Sequence, residues 1–229
     1  MFLYDSIRRN KYGDIPKCPI NKSEYRTFTS RDEADNWGNS IYSAWAKKYV
    51  RTMNLTHSIS PRNISIQTSA LECYCGYCYR QINSYMRGND SVENIFIEAA
   101  HILSLIIASA PPIPEKIVVY RLVCDKFVDD MLENNRHNRP IIESAFLSTS
   151  LLIDVSYQEE WYSANKNMLK IYVPQNILGV YVNPITNRGE CEMLISPNNA
   201  LRLIEYPYRD NTINKDIYEC ELFSFNCYT

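Results

Sequence analysis

A chain of 229 residues, 45% apolar and 22% charged with only six glycines, is long enough to bury a sizeable core and too apolar to remain disordered. Its net charge of −2 lacks the basic excess on which nucleic-acid binders depend, so no nucleic-acid partner is expected. The longest apolar stretch, Ile102 to Pro112, is interrupted by Ser104 and Ser109 and is too short to cross a bilayer.

Met1-Phe2-Leu3-Tyr4-Asp5 meets charge at once and lacks the apolar core of a signal peptide. Residues 1–28, rich in Pro, Lys and Asn, show no period and are expected to form an irregular arm. From residue 29 to 229 a single domain is expected, with a helical lobe over 29–110 and a β-rich core over 111–229. Ser30 to Glu33 spells a capping box, followed by Ala34, Trp37, Ile41, Ala44, Trp45 and Tyr49 on one helical stripe. A second box, Ser69 to Glu72, opens a helix through Tyr74, Ile82 and Met86, with Gly88 placed to end it. A third, Asp90 to Glu93, predicts a helix that stops before Pro111-Pro112-Ile113-Pro114, which cannot continue it.

Cys73, Cys75 and Cys78 fall inside the second helix, where 100° per residue scatters them around the axis. Structural zinc needs four converging ligands, and no second pair follows at suitable spacing, so these cysteines read as small buried hydrophobes. His57, His101 and His137 are equally scattered, and no metal site or Ser/His/Asp triad is expected. Eight cysteines without a leader read as reduced thiols.

Beyond the prolines the texture becomes β-rich. Ile117–Val123 is a β-branched run suited to a buried strand. Further strands are predicted at Ser144–Ser150, Leu169–Val173, Val180–Val182, Cys191–Ile195, Ala200–Tyr206 and Tyr218–Phe225. Helices first and strands afterwards give an α+β class rather than a parallel βαβ fold.

Three features of the β-rich half carry chemistry. Arg121 sits inside an apolar strand, where its permanent charge is costly unless it meets an anion or forms a core salt bridge. Ser148, Thr149 and Ser150 place small hydroxyls at the end of another strand, either to bind sugar hydroxyls or as ordinary edge residues. Glu190 and Glu192 flank Cys191 after the turn Asn183–Gly189; in an extended strand residues i and i+2 share a face. That pair reads either as two solvated acids or as a paired-acid site for a cationic or hydroxyl-bearing substrate.

In the order Arg, Ser-Thr-Ser, Glu-x-Glu, these residues resemble the mono-ADP-ribosyltransferase toxins of that class, including the C3-like exoenzymes and the enzymatic components of clostridial binary toxins. Ala34-x-x-Trp37-Gly38 with Tyr42 and Trp45 is similar to their first helix, and Ile82-Asn83-Ser84-Tyr85-Met86-Arg87-Gly88 to the segment before their catalytic core. The resemblance covers roughly residues 28 to 208. One departure stands out: Ile185-Thr186-Asn187-Arg188-Gly189 is short and lacks the aromatic that many relatives use to recognise the target protein. For the basic residue that relatives place after Ser-Thr-Ser, Lys166 is the candidate here.

The resemblance implies a split β-sandwich backed by leading helices, with NAD bound in the cleft between its sheets. It implies cleavage of the nicotinamide–ribose bond and transfer of ADP-ribose to a protein side chain, without a metal. Glu192 would stabilise the ribosyl cation, and Glu190 would orient and deprotonate an acceptor arginine. Arg121 would hold the diphosphate or the ribose region, Arg87 a phosphate from the helical side, and Ser148, with Thr149 and Ser150, the nicotinamide ribose and Glu192. The expected partners are NAD and a protein carrying the acceptor arginine; the enzyme is expected to act as a monomer, as a toxin or effector secreted or injected into a host cell. A NAD glycohydrolase, or a NAD-binding module without transfer, are the alternatives.

Overall fold

The computed structural model describes residues 2–15, 20–49, 69–154, 164–186 and 191–224. Its frame is a mixed sheet of nine strands ordered β2-β7-β9-β4-β1-β3-β6-β5, with β8 also on β9. In chain order the strands are β1 (Ile117–Val123), β2 (Ile141–Glu143), β3 (Leu147–Ser150), β4 (Asn167–Val173), β5 (Gly179–Tyr181), β6 (Glu192–Ile195), β7 (Asn199–Leu203), β8 (Tyr208–Asp210) and β9 (Lys215–Ser224). All pairings are antiparallel except β4 with β9.

β1 lies at the centre because its β-branched run is wanted on both faces. Ile117, Val119 and Val123 enter the main core, which also takes in the helices, while Val118, Tyr120 and Leu122 enter a smaller core on the opposite face. On its β4 side β1 is paired along its whole length, from Ile117↔Val173 to Val123↔Asn167. On its β3 side it pairs only at Tyr120↔Ser150. The sheet is thus split: one set of strands ends at β1, another is β3-β6-β5, and a single register pair joins them.

The helices are α1 (Phe2–Tyr12), α2 (Arg31–Tyr49), α3 (Ala70–Cys73), α4 (Tyr79–Met86), α5 (Asn94–Ser109), α6 (Asp125–Arg136) and α7 (Asn183–Thr186), with a π-helical turn, Tyr74–Cys78, between α3 and α4. The capping box at Ser69 is formed in full: its hydroxyl accepts from Glu72 N–H, and the Glu72 carboxylate accepts from Ser69 N–H. At α2 the box is stretched by one residue. Ser30 Oγ accepts from Glu33 N–H at 3.2 Å, while the Glu33 carboxylate reaches back to Thr29 N–H at 3.0 Å.

Two expectations about helices are corrected. Residues 2–12, expected as part of an irregular arm, are the helix α1. Its last carbonyls are capped from a distant element: Asn135 Nδ2 donates to Tyr12 O at 2.5 Å and Arg136 Nη1 to Lys11 O at 3.0 Å. A cap lent by α6 leaves no mark in the local sequence. The Asp90–Glu93 box does not open a helix; α5 starts at Asn94, with Glu93 as N-cap and no side-chain cap bond. The preceding turn belongs to the end of α4, because Asn89 bonds Ser84 Oγ at 2.9 Å and accepts from Ser91 N–H at 3.1 Å.

Candidate active site

The split in the sheet places the polar cluster. β3 and β6 run in register with Ser148 opposite Leu194, Thr149 opposite Met193 and Ser150 opposite Glu192. Ser148 and Glu192 are therefore diagonal neighbours on one face, close enough for side-chain contact. Ser148 Oγ donates to Glu192 Oε1 at 2.5 Å. From β1, Arg121 Nη1 donates to the Ser148 carbonyl at 2.6 Å. Beyond the one register pair, this guanidinium takes over the bonding of β1 to β3. Glu192 is buried, whereas Arg121 and Ser148 are half-exposed.

Beneath them lies Tyr74, fully buried in the π-helical turn. Its hydroxyl donates to Phe146 O at 3.3 Å and accepts from Asn83 Nδ2 at 3.0 Å. Burial pushes the Tyr74 phenol well above its ordinary range; Arg121 pulls it down and Glu192 pushes it up, so it feels both charges. At neutral pH it therefore remains a neutral donor that supports the approach to β3.

Arg121 also faces a cavity of about 570 Å³ whose charged walls are Arg80, Arg87, Arg121, Lys126, Asp130 and Glu143. Four cations against two acids give it a positive balance, and planar guanidinium forks suit phosphate or carboxylate oxygens. Arg87 reaches the cavity from the end of α4, where Gly88 turns the chain at φ +93°. Its Nε and Nη2 bond the two oxygens of Glu143 at 3.0 and 2.9 Å. Ser148 and Glu192 are not walls of this cavity; Arg121 connects the two regions.

Thr149 and Ser150 are committed to backbone. Thr149 Oγ1 donates to Met193 O at 2.7 Å, and Ser150 Oγ accepts from Leu152 N–H at 3.0 Å. Glu190 lies outside the described residues, as does part of its turn, while Asn183–Thr186 of that turn forms α7. Lys166 is exposed at the edge of β4, its carbonyl accepting from Asp216 N–H. Among the described residues no group of three or more His, Cys, Asp or Glu is placed to hold a metal ion, and no helix is long and apolar enough to cross a membrane. The six described cysteines are free thiols.

The family model of the ADP-ribosyltransferase exoenzymes matches residues 34–215, from within the first turn of α2 to the end of β8 and the start of β9. The chain belongs to the ADP-ribosyltransferase exoenzyme family.

Solved structures repeat the fold of this exoenzyme. The ADP-ribosylating toxin BECa of a binary enterotoxin of C. perfringens, solved with NADH, superposes with a TM-score of 0.63 at 20% identity, over 87% of this chain and 50% of that one. C3stau2 from S. aureus, solved with NAD, gives 0.63 at 18% identity over 88% and 99% of the two chains. The C3 exoenzyme of Clostridium limosum gives 0.61 at 18% identity, over 87% and 97%. The chain thus spans half the length of BECa but nearly all of the two C3 enzymes. No curated protein sequence matches.

In this exoenzyme α2 holds the turn that leads into the acidic strand. Asp35 Oδ1 accepts from Tyr181 OH at 2.5 Å and from Asn183 Nδ2 at 2.7 Å, fixing both ends of the step from β5 into α7. Burial, and then Asp35, raise the Tyr181 phenol above its ordinary range. The ring of Tyr181 lies against Gly38, where an added Cβ would come within 2.1 Å of Cδ1. Tyr181 is wholly buried and tied at its hydroxyl, so it has little freedom to yield. Gly38→Ala is expected to lower stability by about 1–3 kcal/mol, as other overpacked cores do. An unchanged urea midpoint would show that the α2–Tyr181 contact relaxes freely.

Some of these positions carry no signal in the sequence. Tyr74, Glu143 and Asp35 hold the arrangement together, yet nothing local singles out any of them as a polar site residue. Asn83 enters the sequence reading only as part of a motif; here it is buried, and its Oδ1 has no hydrogen-bond partner among the described residues.

Proposed function

We propose that this exoenzyme cleaves NAD at the nicotinamide–ribose bond and transfers ADP-ribose to an arginine of a target protein, acting as a secreted or injected toxin. The observation that carries the reading is the bonded line Arg121–Ser148–Glu192, which sets a buried carboxylate beside a cationic cavity. In this reading the diphosphate of NAD occupies the cavity against Arg87 and Arg121, and the nicotinamide ribose lies at Glu192. The C1′–N bond breaks with its electron pair passing to nicotinamide, which leaves neutral. The ribose is then oxocarbenium-like, and Glu192 stabilises the positive charge that grows there.

A guanidinium acceptor is protonated and a poor nucleophile. It attacks C1′ as its proton passes to a carboxylate. That role is given to Glu190, on its position two residues before Glu192. Ser148 is a positioning residue, holding Glu192 through Oγ while Arg121 holds its carbonyl. Thr149 ties β3 to β6 through Met193 O and Ser150 holds the turn after β3 through Leu152 N–H, so both act on the ribose only through the placing of β3.

Incubation with biotin-labelled NAD and host lysate, followed by mapping of the modified peptide, tests the reading directly. Label on arginine supports it. Label on another residue type overturns the acceptor assignment, and free ADP-ribose without labelled protein makes the chain a glycohydrolase. Arg121→Lys keeps the charge but loses the fork, and with it the bond to Ser148 as now made. It is expected to weaken NAD about tenfold, ~1.4 kcal/mol. An unchanged dissociation constant by calorimetry would confine Arg121 to tying β1 to β3.

A further inference from the structure

Glu143 is an acid that the reaction does not require, in a cavity meant for an anion. It ends β2 and is 4% exposed, whereas the side chain of its partner Arg87 is 47% exposed. Its carboxylate collects three donors: Arg87 Nε at 3.0 Å, Arg87 Nη2 at 2.9 Å and Ala145 N–H at 3.0 Å. The first two come from the end of α4, the third from the turn that enters β3. One buried group therefore joins the helical lobe to the strand that bears Ser148.

A side-on pair through Nε and Nη2 leaves the Nη1 edge of Arg87 without a partner among the described residues, on a side chain that lines the cavity. A long, exposed arginine otherwise loses rotamer freedom when a ligand fixes it. Glu143 meets that cost in advance, but it also cancels one positive charge of the cavity. The two effects oppose each other, and geometry decides for a ligand that must be held in one pose.

We infer that Glu143 is a positioning residue that pre-sets the Arg87 fork for a diphosphate-bearing substrate, at the expense of general anion attraction. The inference rests on the proposal that NAD binds against Arg87. The signature expected of Glu143→Gln is that NAD and a small anion move in opposite directions. Gln keeps an acceptor for Ala145 N–H but loses the ionic fork and leaves the cavity one charge more positive. The KM for NAD is expected to rise about tenfold with kcat little changed, while inorganic pyrophosphate inhibits at lower concentration than in the wild type.

A double-mutant cycle with Arg87→Ala separates the failures. If Glu143 acts through Arg87, E143Q has no further effect on KM in the R87A background. If the KM penalty of E143Q persists in full there, Glu143 serves the turn at Ala145 and the inference is overturned. A wild-type KM in R87A would instead remove Arg87 from the NAD site and leave the fork of Glu143 a structural tie. Should E143Q fail to fold, Glu143→Asp keeps the charge and withdraws it by one methylene. A wild-type KM for E143D would equally overturn the inference.

Discussion

Glu192→Gln is expected to remove both ADP-ribose transfer and nicotinamide release, by a factor of order 10²–10³ or more. The magnitude follows from charge. A carboxylate about 4 Å from a full positive charge, at an effective dielectric constant of about 20, is worth ~4 kcal/mol, which is roughly three orders of magnitude in rate. The fold has little reason to respond. Gln matches Glu in volume and keeps an Oε1 that accepts from Ser148 Oγ, now 2.5 Å from the carboxylate. The pairing of β6 with β3 uses backbone groups from Leu147↔Ile195 to Ser150↔Glu192 and does not depend on that charge. Nicotinamide release should therefore fall with an unchanged melting curve. Hydrolysis within a few-fold of wild type would take Glu192 out of the reaction. Ser148→Ala provides the scale, since a residue acting through Glu192 should cost less than Glu192 itself.

How far this arrangement can be read from sequence depends on how local its causes are. Ile117–Val123 is legible to the residue, because a β-branched run flanked by Pro114 and Cys124 needs no distant partner to declare itself. The box at Ser69 is equally legible, since both of its bonds span three residues. The sequence suggests a strand from Ser144, but β3 starts at Leu147, because Glu143 bends the chain through Ala145 N–H before pairing begins. Helix α6 escapes the sequence reading: its buried side holds only three apolar residues, Val128, Met131 and Leu132, and is completed by a polar one, Asn135. β2 and β8, three residues each, carry too few side chains to show an alternation.

The same distinction governs the site. Arg121, Ser148 and Glu192 are conspicuous by type and order, and they do meet. Tyr74 and Glu143 matter through bonds to residues 72 and 56 positions away, which no local pattern reports. Thr149, grouped with Ser148 by sequence, faces the opposite side because neighbouring strand residues alternate.

The last expected result concerns Glu190, whose proposed duty differs from that of Glu192. If it serves only the acceptor, Glu190→Gln should abolish arginine labelling yet leave measurable nicotinamide release. NAD would still meet Arg121 and the cavity, and Glu192 would still stabilise the ribosyl cation. Water can intercept that cation with less help from a base than a guanidinium needs, because it begins uncharged. If the two acids act side by side, as their spacing of two residues suggests, the change should also alter the pH profile of hydrolysis. Transfer and hydrolysis are to be followed in one reaction, by labelled peptide and by released nicotinamide. If both fall by the same factor, the two glutamates serve a single step, and the separation of cleavage from acceptor activation is wrong.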